Sequence, residues 1–262
     1  MLESALLGLL QGVTEWLPVS SQGVVTVAAN RLFDLEVGEA VAFALWLHVG
    51  TSIAAAVAFR RELVRLAREA AADPLHPSPL LKFLVLATVV SAVIGLPLLL
   101  ALDDISDAFG AAAMAAVGAL MVVTGLVQTR RPVVGIRDRA QLTAVDALVA
   151  GIAQGFAALP GLSRSGLTVA VLLGRRVDRA EALTLSFLMG IPAALAAALL
   201  AGFESGVLRT ADGLVGAAVA FAVGLASIKA LLAVARRVNF ALFVVLVGVA
   251  VLLGAAWEVL AS

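Results

Sequence analysis

The sequence predicts an all-α integral membrane protein of six transmembrane helices plus two re-entrant helix-loop-helix segments. These form an inverted-topology repeat in one polytopic domain, residues 1–262. Three observations predict it. Hydrophobic residues make up 62% of the chain and charged residues 14%, with a mean hydropathy of +1.09, against roughly 45–50% and 25% in soluble domains. Apolar runs long enough to cross a bilayer recur along the chain. One polar pattern inside that apolar background occurs twice, once in each half.

The spanning runs lie near residues 40–59, 83–102, 108–128, 182–201, 213–231 and 239–258, each close to the roughly 20 residues a transmembrane helix needs. Two shorter runs, 2–17 and 145–159, stop at Leu17-Pro18 and Leu159-Pro160, where proline ends a helix. At about 1.5 Å per residue, some 10 helical residues reach the middle of a roughly 30 Å core. These two are therefore re-entrant half-helices with deep polar tips. Segment 60–73, "RRELVRLAREAAAD", reads as a basic amphipathic helix on the membrane surface. The start, "MLESALLGLLQG", has no basic n-region and carries Glu3, unlike a cleaved signal peptide.

Charge orients the spans. Basic residues concentrate in the connections 60–82, 130–139, 175–179 and 229–237, which should be cytoplasmic. The opposite connections carry Asp34, Glu36, Glu39, Asp103, Asp104, Asp107, Glu204 and Asp212 against only Arg31 and Arg209. With this assignment the first half, about 1–130, enters from outside and the second, about 144–262, from inside, so the C-terminus lies outside. "QGVTEWLPVSSQG" (11–23) and "QGFAALPGLSRSG" (154–166) match at their polar positions. Each precedes an acidic-Ala step and a span, "GEAVAFALWLHVGTSIAAAVAF" and "AEALTLSFLMGIPAALAAAL". Inverted repeats of this kind place sites near the midplane, where interrupted helices meet.

Arg164 is the chemical anomaly, because an arginine at membrane depth costs about 2.5 kcal/mol or more. It needs an anion. One candidate is Glu15 on the other loop tip; the other is a phosphate, met by the guanidinium and by backbone N–H groups that Gly161, Ser163, Ser165 and Gly166 allow to converge. Gln11 and Glu15 share a helical face, and Ser20, Ser21 and Gly23 follow the Pro18 break. Glu15 can ligate Mg²⁺ or Ca²⁺ or act as a general base, and Ser21 can be a nucleophile. Serines after Leu-Pro breaks also serve simply as helix caps. His48, inside a span, faces either packing or an interior cavity. His76, in "DPLHPSPL", reads as surface.

At these two loops the sequence resembles the bacitracin-resistance family of undecaprenyl-diphosphate phosphatases over essentially its whole length. The family's first motif reads approximately E-G-x-T-E-F-L-P-x-S-S-x-G-H, and here stands "QGVTEWLPVSSQGV"; its second, P-G-x-S-R-S-G, is complete as Pro160–Gly166. "SFLMGIPA" and "SIKALLAVARRVNF" are similar to its later spans. The resemblance implies a plasma-membrane enzyme that hydrolyses a polyprenyl diphosphate, with a divalent cation as cofactor. It implies that Glu15 is the second motif glutamate, Ser21 the nucleophile and Arg164 the phosphate-binding arginine. Gln11 replaces the family's first glutamate and Val24 the histidine after the glycine, which removes a charge and a proton carrier.

Two accounts follow. Glu15, Ser21 and the complete SRSG loop favour hydrolysis; the alternative is a non-hydrolytic binder or transporter of polyprenyl phosphate, since inverted repeats are frequent in transporters. The other membrane lipid-phosphatase signature, S-R-x5-H, would need histidine at 170, where Ala170 stands. No nucleotide-binding Gly-Lys loop supports an ATP-driven pump. A net charge of zero gives no reason to propose nucleic acid, and the lack of cysteine excludes disulfides and thiolate chemistry. The expected partners are the lipid substrate and membrane lipids; a homodimer is compatible with the sequence.

Overall fold

A computed structural model describes residues 1–17, 20–101, 135–159 and 162–235, with scattered positions between 115 and 126 and between 242 and 257. The expected spans 108–128 and 239–258, and Gly161 of the second loop, lie outside the described residues. Among the described residues the protein is all-α, and four helices are long and apolar enough to cross a membrane. They are α3 (Val37–Ala58), α5 (Pro79–Leu100), α8 (Arg179–Glu204) and α9 (Ala211–Ala235). The chain is thus a multi-span membrane protein.

The two short apolar runs are helices α1 (Leu2–Thr14) and α6 (Ala144–Phe156). Each turns back into a second helix, α2 (Ser21–Phe33) and α7 (Arg164–Gly174) respectively. Both first limbs stop about one turn before the proline of the Leu-Pro step, at Thr14 and Phe156, because proline can neither donate to nor clear the carbonyl four residues back. Beyond the end of α1 the Trp16 indole donates to the Gly224 carbonyl and to Ser227 Oγ, each at 3.0 Å, which fixes this end on α9. Ser227 Oγ in turn donates to the Gly12 carbonyl at 2.5 Å.

Each hairpin docks on a helix of the other half. The first limb α1 packs most extensively on α9, and α6 on α5. Small residues permit both crossings, as expected where close van der Waals packing drives helix association in lipid. A Cβ on Gly12 would stand 2.8 Å from the Gly224 nitrogen, and one on Gly155 2.7 Å from Ile94 Cβ. Helices α3 and α8 pack on each other between the hairpins, and α9 also packs along α3. The core runs through this contact, where Trp16 meets Phe187 edge-on with ring centroids 5.2 Å apart.

The basic connections that the structure describes meet at one end. Helix α4 (Arg60–Ala72) is amphipathic, as its sequence predicts, with Arg61, Arg65 and Arg68 exposed. Arg139 bridges Glu62 of α4, at 2.7 Å, and Glu181 of α8, at 2.9 Å from its Nε. The Arg65 hydrogen bond, aided by Arg139, holds the Glu62 carboxyl below the usual carboxylate range despite partial burial. Arg137 and Arg175 both donate to buried Asp146, which with Thr143 caps α6. His76 is exposed beside Asp73.

Candidate active site

The capping serines set the loop tips. Ser20 accepts from Gly23 N and Ser163 from Gly166 N, both at 3.1 Å, which starts α2 and α7 in the same way. A serine at this place satisfies one of the N–H groups that a helix start leaves unpaired. The N–H groups of Gly23 and Gly166 are therefore engaged, and those of Ser21, Gln22, Arg164 and Ser165 are the other first-turn donors at the positive ends of the two helices. Ser165 Oγ donates to the Leu17 carbonyl at 2.8 Å and ties one tip to the other.

Glu15 is where the two hairpins meet. Its side chain is 3% exposed, and Arg164 Nη2 from the opposite hairpin is paired with its Oε1. Oε2 accepts from Ser21 Oγ at 2.7 Å and Gln11 Nε2 at 2.8 Å, and lies 3.2 Å from His48 Nε2. A buried carboxylate is tolerated only with partners of this kind. Among the described residues the second guanidinium nitrogen, Nη1, reaches only the Ser186 carbonyl, at 3.4 Å, which leaves donors of the fork for an anion.

Glu15, Ser21, His48 and Arg164 line a cavity of about 440 Å³, together with Ser20, Ser163 and Ser165. Above the polar floor its walls are apolar, made by Ala92, Leu96 and Leu99 of α5 and by Ala193, Ala197 and Leu200 of α8. Gln11, fully buried, stands behind Glu15 and does not line the cavity; neither do Gly23 and Gly166. Val24, at the place of the family's motif histidine, is exposed on α2 and also outside the lining.

Sequence reasoning passed over three contributors. Gln154 lines the cavity and donates to Ser91 Oγ and the Met189 carbonyl, both at 3.1 Å. Thr168 bonds Ser186 Oγ at 2.6 Å and supports the α8 turn that Arg164 reaches. Gly190 leaves the space that the guanidinium occupies, because a Cβ there would collide with it. The signal for Gln154 was present, since it opens the second copy of the motif as Gln11 opens the first.

Among the described residues the donor set does not fit a resident divalent cation. Mg²⁺ and Ca²⁺ take about six or more oxygen ligands, whereas Glu15 is the single carboxylate among those residues that lines the cavity, and both its oxygens are engaged. The unpartnered Gln11 Oε1 belongs to a side chain outside the cavity lining. Among the described residues no three histidine, aspartate or glutamate side chains cluster for a metal.

Such a fold and site define a polytopic membrane protein in which a carboxylate, a serine hydroxyl and an arginine meet at the foot of an apolar cavity. The chain belongs to the Bacitracin resistance protein BacA family, whose model matches residues 4–254. It is 39% identical over 255 residues to the undecaprenyl-diphosphatase of Methanococcoides burtonii, covering 94% of this chain and 95% of that one. The undecaprenyl-diphosphatase of Methanopyrus kandleri is also 39% identical, covering 94% and 92%. That of Haloarcula marismortui is 39% identical, covering 92% of each.

Proposed function

We propose that this protein hydrolyses a polyprenyl diphosphate of the undecaprenyl class to the lipid monophosphate and inorganic phosphate. The observation that carries this reading is the meeting of Ser21, Glu15 and Arg164 at the floor of an apolar-walled cavity. The isoprenoid tail lies along the alanine- and leucine-lined walls of α5 and α8. Its diphosphate sits between the starts of α2 and α7, where helix dipoles and the Arg164 fork favour negative charge.

Ser21 Oγ attacks the terminal phosphorus and its proton passes to Glu15 Oε2. The phosphoanhydride bond breaks, the lipid monophosphate leaves with the bonding electron pair, and a phosphoserine remains. Glu15 gives that proton to the departing lipid monophosphate; water then attacks the phosphorus and gives a proton to the freed carboxylate, and Ser21 leaves as phosphate is released and takes the proton back. Arg164 and the helix N–H groups stabilise the phosphoryl charge throughout. A divalent cation, Mg²⁺ or Ca²⁺, enters this reading as a companion of the diphosphate rather than as a group the protein holds.

The architecture belongs to the proposal. The halves, about 1–130 and 144–262, form an inverted repeat of six spans and two re-entrant hairpins in one domain, with the C-terminus outside the plasma membrane. The reciprocal docking of α1 on α9 and α6 on α5 supports it. The basic end is cytoplasmic, and Leu99 and Leu200, near the far ends of α5 and α8, put the cavity towards the outer face.

The test is phosphate release by the purified protein in detergent from farnesyl diphosphate and longer polyprenyl diphosphates, with and without Mg²⁺ or Ca²⁺. Release that Ser21→Ala and Arg164→Ala both abolish supports hydrolysis. No release, with tight lipid binding that Arg164→Ala removes, replaces this reading with that of a polyprenyl-phosphate binder or transporter.

A further inference from the structure

We propose that His48 shares one proton with Glu15, and that this pair, rather than the carboxylate alone, handles the proton of the attacking hydroxyl. The inference rests on the hydrolytic reading above and adds a positioning residue to it. Its starting point is the two nitrogens of one ring. Nδ1 lies 2.9 Å from the Ala44 carbonyl, one turn back on α3. A carbonyl only accepts, so Nδ1 carries a hydrogen. Nε2 lies 3.2 Å from Glu15 Oε2. In a neutral ring protonated at Nδ1, Nε2 is a lone pair, and it would face a carboxylate lone pair in a buried site. A proton between the two atoms removes that repulsion, as imidazolium and carboxylate or as imidazole and carboxylic acid.

This proton has a consequence for Ser21. The hydroxyl donates to the same Oε2 at 2.7 Å. Oε2 cannot keep both the shared proton and the one Ser21 gives up. When Ser21 Oγ bonds to phosphorus, its proton moves to Oε2 as the shared proton settles on Nε2, and the phosphoanhydride bond breaks. The pair then holds one proton more and returns it to the departing lipid phosphate. In the second half-reaction a water gives its proton to the pair, its oxygen bonds to phosphorus, and Ser21 Oγ leaves with a proton from the pair. The ring thus supplies the second seat that a single carboxylate lacks.

Among the described residues, the titratable or charged groups that line the cavity are Glu15, His48 and Arg164. Arginine keeps its protons, so Glu15 and His48 are the pair able to exchange one. Arg31, Arg179, Glu181, Glu204 and Asp212 stand at or near the ends of the helices packed around α3, and Lys229 lies in the last two turns of α9. His48 also has a counterpart. Aligned on Glu39-Ala40 and Glu181-Ala182, the two spans place His48 opposite Gly190. At that position α3 supplies a ring to Glu15, whereas α8 supplies the empty space that holds Arg164.

The test uses the full-length protein in detergent with farnesyl diphosphate, comparing wild type, His48→Gln and His48→Ala. Gln keeps a neutral N–H for Glu15 but cannot take up a proton. We expect kcat of His48→Gln to fall about a hundredfold, in the range of general acid-base contributions, with KM within about threefold of wild type. Between about pH 5 and 9, the variant's kcat profile should lose a limb that wild type shows. Added imidazole should restore turnover to His48→Ala. A His48→Gln kcat within about twofold of wild type, on a superimposable pH profile, overturns the assignment while leaving hydrolysis intact. An inactive wild type overturns both.

Discussion

In the hairpin of α1 and α2, the residue five places before the capping serine is Glu15 and the one after it is Ser21. In the hairpin of α6 and α7 the same places hold Ala158 and Arg164. The backbone solution is shared down to the 3.1 Å cap bond and the glycines at the crossing. The chemistry is not. One hairpin carries the acid and the hydroxyl, and the other carries the cation, so neither has a complete site alone. The proposed inverted repeat calls for equivalent backbones, while reaction chemistry needs unlike groups at one point. Dividing them between copies satisfies both demands, and the Glu15–Arg164 pair also neutralises each half's costly charge at depth.

Removing the cation breaks the division most severely. Arg164→Ala should lower phosphate release from a polyprenyl diphosphate by about 10³-fold, on the scale of losing a preorganised charge stabiliser, and should abolish lipid-diphosphate binding. Unchanged affinity in the purified variant would sink the anion-site assignment. Glu15→Gln acts on the other hairpin, and there the expected loss is of turnover, about 10²-fold or more, with substrate still bound. Wild-type rates in that variant would make Glu15 structural.

Gly190→Ala separates placement from charge. The guanidinium must move aside for the new methyl group, so kcat/KM should drop about tenfold, while thermal unfolding stays near wild type. Full activity would show that Arg164 works from another position. The smallest effects belong to the scaffold. Gly12→Ala and Gly155→Ala should each destabilise by about 1–3 kcal/mol. Gly12→Ala should cost more, because it meets the Gly224 backbone whereas Gly155→Ala meets an isoleucine side chain. Thermal shifts in detergent that rank the two in reverse would contradict this account of the two crossings.

Hydropathy and the Leu-Pro steps were enough to place α1, α3, α5, α6, α8 and α9, since lipid demands long apolar helices and proline interrupts them. The repeated motif also pointed to a meeting of Glu15 with Arg164, and the two side chains are paired. Other features were not legible. Gln11 looked like a ligand because it shares a face with Glu15, but that face turns behind the carboxylate and not into the cavity. Gly190 contributes only absent volume, which sequence shows as one more small residue in an apolar helix. His48 stood out as a histidine in a span, but its role depends on a 3.2 Å approach across two helices. The ends of α1 and α6 follow from Pro18 and Pro160, whereas the anchoring of Trp16 on α9 is a tertiary contact that local propensity does not contain.

The docking of α1 on α9 sets an order for biogenesis. Residues 2–14 emerge from the ribosome long before their main partner, residues 211–235. The first hairpin must wait in the bilayer or the insertion machinery, with its small-residue face uncovered, until α9 is made. Its polar tip meets Arg164 only after the chain's midpoint has passed. Assembly of the catalytic floor is therefore a late event, and chains truncated before α9 should be substrates for membrane proteolysis rather than partly active enzymes.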